Sequence, residues 1–271
     1  MRYAIPLLLF VGSMLSAQPA VESLSPTHRV WEKSEWRLSN VPVVENPFDP
    51  ELIALDLVVE SPAGSLSRVP AFWYQGFTRQ RVDGKEVLTA DGDPEWRVRF
   101  TPRIAGRHVL RWEMALGGGV AFEFARTEVV VNDANPAAKG GFVRVAADGR
   151  TFETTVGVPL PLIGANVCWD EGGGTYDYER WFEAMAASGQ NFARLWLSPW
   201  SIGLEHGPGT LNRYDQEDAW QMDYLFAMAE RLGIYLMISM DHHGMYQTND
   251  PGWAGTNNFW STHNPYSSDL G

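Results

Sequence analysis

Between about Val30 and Asn132, apolar and polar residues alternate one for one. Trp96, Val98 and Phe100 alternate with Arg97, Arg99 and Thr101, and His108, Leu110, Trp112 and Met114 alternate with Arg107, Val109, Arg111 and Glu113. Ile53, Leu55, Leu57 and Val59 form another such row. A period of two marks strands with one buried side. Turn-forming stretches separate the rows: Asn46-Pro47, Ser61-Pro62-Ala63-Gly64, Asp83-Gly84, Asp91-Gly92-Asp93-Pro94 and Gly117-Gly118-Gly119. Roughly six to eight short strands in about a hundred residues predict an antiparallel β-sandwich.

Residues 136–157 read as a junction. Asn135-Pro136 breaks the last strand, Gly140-Gly141 loosens the chain, and Asp148-Gly149 predicts a small hairpin. After Gly157 the rhythm changes. Leu160 to Trp169, Asn191 to Trp200 and Ile234 to Met240 are near-continuous apolar runs. Between them lie two stretches with helical spacing. Tyr178, Trp181, Phe182, Met185 and Ala186 line the first, with Asp177 as its expected N-cap and Gly189 just past its end. Ala219, Met222, Leu225, Phe226 and Ala229 line the second, between Asp215 and Gly233. A β-α-β-α-β order with apolar strands predicts a parallel sheet buried on both sides. Polar and aromatic residues follow each strand, where parallel sheets build their sites: Asn166 and Trp169, then Trp196 and Trp200, then Asp241, His242 and His243. No Gly-rich phosphate loop follows any of the three strands, which argues against a nucleotide.

Composition narrows the class. A net charge of −12 argues against nucleic acid as a partner, because phosphate binding needs a basic face. The opening MRYAIPLLLFVGSMLSAQPA carries one cation and then a short apolar run, the layout of a secretory signal over residues 1–20. A secreted or periplasmic protein, off the membrane once the signal is removed, is the expectation; an uncleaved anchor is the alternative. The one cysteine, Cys168, reads as a small core residue. Export, acidity and 12 Trp together suit a protein that handles neutral polysaccharide or oligosaccharide.

The stretches GANVCWDEGGGTYDYERWFEAMAASGQNFARLWLSPWSIGLE, LGIYLMISMDHHG and FWSTHNPY resemble the barrel of clan A glycoside hydrolases. ENPFDPEL, VPAFWYQGF and WRVRFTPRIAGRHVLRW look like the uncharacterised immunoglobulin-like module that precedes the barrel in bacterial cellulase-like proteins. The resemblance implies an immunoglobulin-like sandwich over 21–135, a linking hairpin over 136–157, and the first β/α units of a TIM (β/α)8 barrel, incomplete, over 158–271. It also implies a retaining mechanism, in which two carboxyls about 5–5.5 Å apart protonate the leaving oxygen and attack the anomeric carbon. The family places that Glu pair after its fourth and seventh strands. Three strands are legible here and a full barrel takes ~250 residues. The pair is therefore expected beyond Gly271, and the chain is expected to be the inactive front part of a secreted glycosidase. No cofactor or metal is implied.

Individual residues carry two readings each. The resemblance makes Arg194 a cation that orients the nucleophile, and an Arg inside an apolar strand needs a carboxylate partner in any case. It makes His242 a subsite residue. Asp241, His242 and His243 could also begin a metal site, but nothing elsewhere completes a ligand set. Trp169, Trp196 and Trp200 are sugar platforms or core, and Asn166 is a subsite residue or a partner for nearby backbone. Trp253 and Trp260 could also reach substrate. Glu205 and Asp241 are the carboxylates near strand ends that acid/base work could draft, and read as subsite or solvated residues; Asp170-Glu171 reads as a solvated turn. The competing function is a non-catalytic carbohydrate-binding or structural β-sandwich, with Trp73 and Tyr74 as its candidate sugar surface.

Overall fold

The structure, a computed structural model, describes residues 18–135, 140–198, 200–205 and 212–240. Nine strands come first: β1 (Ala20–Ser23), β2 (His28–Arg29), β3 (Ser34–Ser39), β4 (Ile53–Glu60), β5 (Leu66–Pro70), β6 (Phe72–Val82), β7 (Lys85–Phe100), β8 (Gly106–Leu116) and β9 (Phe122–Asn132). They form a four-stranded sheet of order β1-β3-β7-β6 and a five-stranded sheet of order β2-β9-β8-β4-β5. The inward residues of the two sheets meet in one core of Trp36, Leu38, Trp96 and Val98 against Leu55, Leu57, Leu110 and Trp112. Trp112 is fully buried and meets Trp36 edge-on at 5.7 Å.

Strands β6 and β7 form a long hairpin. Val82 pairs with Lys85 across Asp83 and Gly84, which have φ of 50° and 84°. Two successive left-handed residues match the twist of the flanking strands, and Asp-Gly is suited to that turn.

Three short strands follow, β10 (Val143–Val145), β11 (Phe152–Thr154) and β12 (Pro159–Leu160), in a small antiparallel sheet. Then come β13 (Gly164–Asn166), α1 (Thr175–Ala187), β14 (Phe192–Trp196), α2 (Gln216–Leu232) and β15 (Tyr235–Ser239). The last three strands pair in parallel in the order β13-β14-β15. Gly164 is required by the spacing, since a Cβ there would sit 1.6 Å from the Phe192 carbonyl oxygen. Asp215 caps α2 through the Glu217 and Asp218 amides at 2.9 and 3.1 Å, and Gly233 ends it in a left-handed conformation.

These elements correct the expected fold class. The described residues are 45% strand and 14% helix, with two helices among them, which does not match the start of a TIM (β/α)8 barrel. Among the described residues the parallel strands form an open three-stranded sheet. All three residues of β13 are exposed and no residue of β15 is fully buried. Among the described residues helices cover one face alone, where Ala193, Leu195, Leu236 and Ile238 meet Phe182, Leu225 and Met228. The apolar runs that suggested barrel strands are equally consistent with a small one-sided sheet, because a short apolar run does not report how many neighbours its strand has.

The outer face of the four-stranded sheet docks on the helices through charge. Arg79 of β6 donates to Thr175 Oγ1 at 2.9 Å and to Glu179 at 2.7 Å, and its guanidinium lies 4.0 Å from the ring centres of both Tyr176 and Tyr224. Glu86 of β7 accepts from the Thr175 amide at 3.0 Å, from Gln221 at 2.7 Å and from the Thr175 hydroxyl. Helix α1 begins after Gly174, which has no side chain to cap it, so Glu86 supplies the cap from another sheet. Asp177, the expected cap, lies inside the first turn and turns back to the loop before it. Arg99 makes a two-pronged bond to Asp223 at 2.6 and 2.7 Å, and its Nε lies 3.3 Å from Glu35.

Candidate functional site

The helix-free face of the parallel sheet gathers most of the described candidates. Ala193 and Leu195 point at the helices, so strand alternation sends Phe192, Arg194 and Trp196 to the opposite face. The register sets Asn166 beside Arg194, Arg194 beside Met237 and Trp196 beside Ser239. Arg194 Nε donates to Ser239 Oγ at 3.1 Å, and the guanidinium lies 4.8 Å from the Trp196 ring centre. Such a contact holds the guanidinium near the indole without neutralising it.

Trp169 meets Trp196 edge-on at 5.8 Å and Trp200 at 5.5 Å. Trp169 is 42% exposed and Trp200 38%, so each keeps ring surface open to solvent, whereas Trp196 is half-buried between its neighbours. Asn166 is exposed at the end of β13, and Cys168 is half-buried. Asp241, His242, His243, Trp253 and Trp260 lie outside the described residues.

The loop behind Trp169 is held by carboxylates. The Glu171 and Gly173 amides donate to Asp177 Oδ2 at 3.0 and 2.9 Å, and the Gly172 and Gly174 amides to Asp170 Oδ2 at 2.9 and 3.0 Å. Asp170 Oδ1 accepts from Ser201 Oγ at 2.7 Å, which ties the segment bearing Trp169 to the one bearing Trp200. Glu205 accepts from the Asn212 amide at 2.6 Å. Carboxylates engaged with backbone N–H groups in this way hold the loops in place. Burial pushes the Tyr178 phenol well above its ordinary range, against a hydrogen bond with Ser201 that lowers it, so it stays protonated beneath the loop.

Trp73 and Tyr74 do not form a flat platform. Trp73 packs on the sandwich core and meets Trp96 edge-on at 5.4 Å, while Arg97 covers the Tyr74 ring at 3.6 Å. Ser239 and Ser201 were missed by sequence reasoning. Ser239 ends a strand, and the strand-end rule that selected Asp241 reaches it. Ser201 is joined to Asp170 only by loop geometry, which spacing does not reveal. Among the described residues no group of three or more His, Cys, Asp or Glu is placed to hold a metal ion. None of the helices there is long and apolar enough to cross a membrane.

Comparison with known proteins then bears on the fold. No protein-family model matches the chain, and no curated protein sequence does. A candidate glycoside hydrolase from Bacteroides vulgatus ATCC 8482 overlays with a TM-score of 0.56 at 17% identity, over 78% of this chain and 40% of its own. The likeness is one of fold. This chain thus spans less than half the length of that relative. A glycosyl hydrolase family 2 member from Bacteroides cellulosilyticus DSM 14838 overlays at 0.26, with 12% identity over 83% of this chain and 26% of its own. Purple acid phosphatase PPD1 from yellow lupin seeds overlays at 0.28, with 10% identity over 93% of this chain and 38% of its own. Neither of these two overlays is close enough to bear on this chain.

Proposed function

We propose that this chain binds a neutral polysaccharide or oligosaccharide on the helix-free face of its parallel sheet, as part of an exported protein of glycoside hydrolase type. The observation that carries the proposal is the Trp169–Trp196–Trp200 group, with two indoles open to solvent beside the Arg194 cation. Indole faces cover the apolar C–H sides of pyranose rings, and Asn166 and Arg194 offer donors to hydroxyls. Acidity and an N-terminal stretch of signal layout fit an extracellular glycan better than a phosphorylated metabolite.

In this reading residues 1–20 direct export, 21–135 form the sandwich, 136–157 link it onward, and 158–271 carry the binding face. Hydrolysis is proposed for the whole protein by the retaining route, in which one carboxyl protonates the leaving oxygen and a second attacks the anomeric carbon. Arg194 would steady the attacking carboxylate, and Asp241, His242 and His243 would line the sugar subsites. The likeness in fold to a candidate glycoside hydrolase is compatible with this role. A purely sandwich-borne platform is disfavoured by the covered Trp73 and Tyr74.

Affinity electrophoresis of the full chain in gels cast with cellulose derivatives, xylan, mannan or xyloglucan is the direct test. Retardation by at least one glycan is expected, with Trp169→Ala and Trp200→Ala each weakening it by about tenfold or more. Retardation that neither substitution changes would remove the tryptophan face from the proposal.

A further inference from the structure

The two solvent-open indoles of the tryptophan face stand crossed. The ring planes of Trp169 and Trp200 meet at 82° with their centres 5.5 Å apart, and Trp169 stands at 69° to Trp196. Edge-to-face packing is ordinary among aromatic rings, and in a core it would call for no further account. Here the two outer rings are 42% and 38% exposed, so the angle between them is presented to whatever lies on the face.

The backbone beneath the two rings is fixed from both sides. The strand end that leads to Trp169 is bonded to β14, with the Val167 amide donating to the Arg194 carbonyl at 3.0 Å. Trp200 stands in a tight turn, closed by the Ser198 amide on the Ile202 carbonyl at 2.9 Å. The residue after each indole then joins the two segments. Ser201 Oγ donates to Asp170 Oδ1 at 2.7 Å, a bond strengthened by the charge of its acceptor. Asp170 is itself held by the Gly172 and Gly174 amides, and Ser201 is hydrogen-bonded to the buried Tyr178 phenol.

The angle decides which sugars can use both rings. A pyranose packs on an indole when the two planes lie near parallel, because its apolar C–H groups then meet the ring face. Two indoles at 82° cannot both lie against one plane. In cellulose and mannan, successive rings flip about the chain axis yet stay in a common plane. Such a ribbon, stacked on one indole, shows the other only its edge. In xylan and laminarin, successive rings turn out of a common plane, so one chain offers apolar faces in both directions.

We propose that the crossed indoles select a glycan whose neighbouring rings are turned against one another, as in xylan or laminarin, over a flat ribbon. Asp170 and Ser201 are the positioning residues that keep the indoles crossed. The inference rests on the reading that this face binds glycan, and adds to it the class of glycan and the pair that sets the choice.

Isothermal titration of the full chain with xylohexaose, laminarihexaose, cellohexaose and mannohexaose tests it. The better of the two turned sugars should bind about tenfold or more tightly than either flat one, as the gain of a second stacked ring implies. Trp169→Ala and Trp200→Ala should each erase that ratio by weakening the turned sugar. Ser201→Ala should narrow the ratio and reduce the near-ultraviolet circular dichroism of the coupled indoles at an unchanged melting temperature, and Ser201→Thr, which keeps the hydroxyl, should restore both. Flat sugars that bind as tightly as turned ones, and that both tryptophan variants weaken, overturn the inference and leave the glycan reading standing. A preference for turned sugars that the tryptophan variants leave intact also overturns it. A preference that Ser201→Ala leaves whole removes Asp170 and Ser201 as its cause. Failure of all four sugars to bind overturns the glycan reading and this inference with it.

Discussion

The two faces of the four-stranded sheet are built from opposite chemistry. Inward, Trp36, Leu38, Trp96 and Val98 pack on the second sheet in one hydrophobic core. Outward, Arg79, Arg97 and Arg99 meet Glu35, Glu86, Glu179 and Asp223. Apolar burial is non-directional and scales with area, so the inner face supplies stability and tolerates adjustment. Charged hydrogen bonds fix distance and angle but repay their own desolvation only partly, so the outer face supplies position more than energy. The lesson is that the helices, and the tryptophans behind them, are oriented by the sandwich and not merely attached to it.

The largest effect should come from the inner face. Trp112→Ala removes a fully buried indole and is expected to cost about 3–5 kcal/mol, read from denaturant unfolding of the full chain. Next comes the seam. The Glu86 side chain is 4% exposed, and Glu86→Ala strips α1 of its cap and leaves Arg79 and Gln221 short of a partner, for about 3 kcal/mol. Unlike the core variant, it should speed hydrogen exchange selectively at the Thr175 amide. A core change smaller than the seam change would reverse the comparison.

The smallest effect should be the pH dependence of the seam. Burial pushes the Glu35 carboxyl up, but Arg99 and Lys33 beside it more than offset this and hold it below its ordinary value of 4.5. A carboxylate depressed in the folded state contributes stability above its unfolded pKa and loses it as pH falls through the folded one. Thermal stability should therefore decline as pH drops below about 4.5, and Glu35→Gln should flatten that part of the profile.

Much of the sandwich was legible because its signal is local. The alternation at 96–100 and 107–114 corresponds to Trp96, Val98, Leu110, Trp112 and Met114 in the core. The caps of α2 at Asp215 and Gly233 were equally plain. The barrel expectation failed where the signal is global, since closure depends on how many strands meet and on which faces are covered. The exposed β13 belongs to that class of fact. Glu86 left no trace either: it sits in a hairpin among charged residues, and its partner Thr175 is 89 positions away. At the candidate site, strand-end position singled out Asn166, Trp169 and Trp196 and the resemblance singled out Arg194; the structure sets Asn166 beside Arg194 and Trp169 against Trp196. The tie from Asp170 to Ser201 required three dimensions.

The Asp83–Gly84 hairpin has a kinetic consequence as well. Its strands run 11 and 16 residues and join through a two-residue turn, so they can zip locally within about 1–10 μs. The helices reach it across far longer stretches of chain: Tyr224 is 145 positions from Arg79. Loop closure over such distances is slow and entropically costly. The hairpin is thus expected to form first, as a charged template on which the helices dock, and pulse-labelled hydrogen exchange during refolding should show its amides protected before those of the helices.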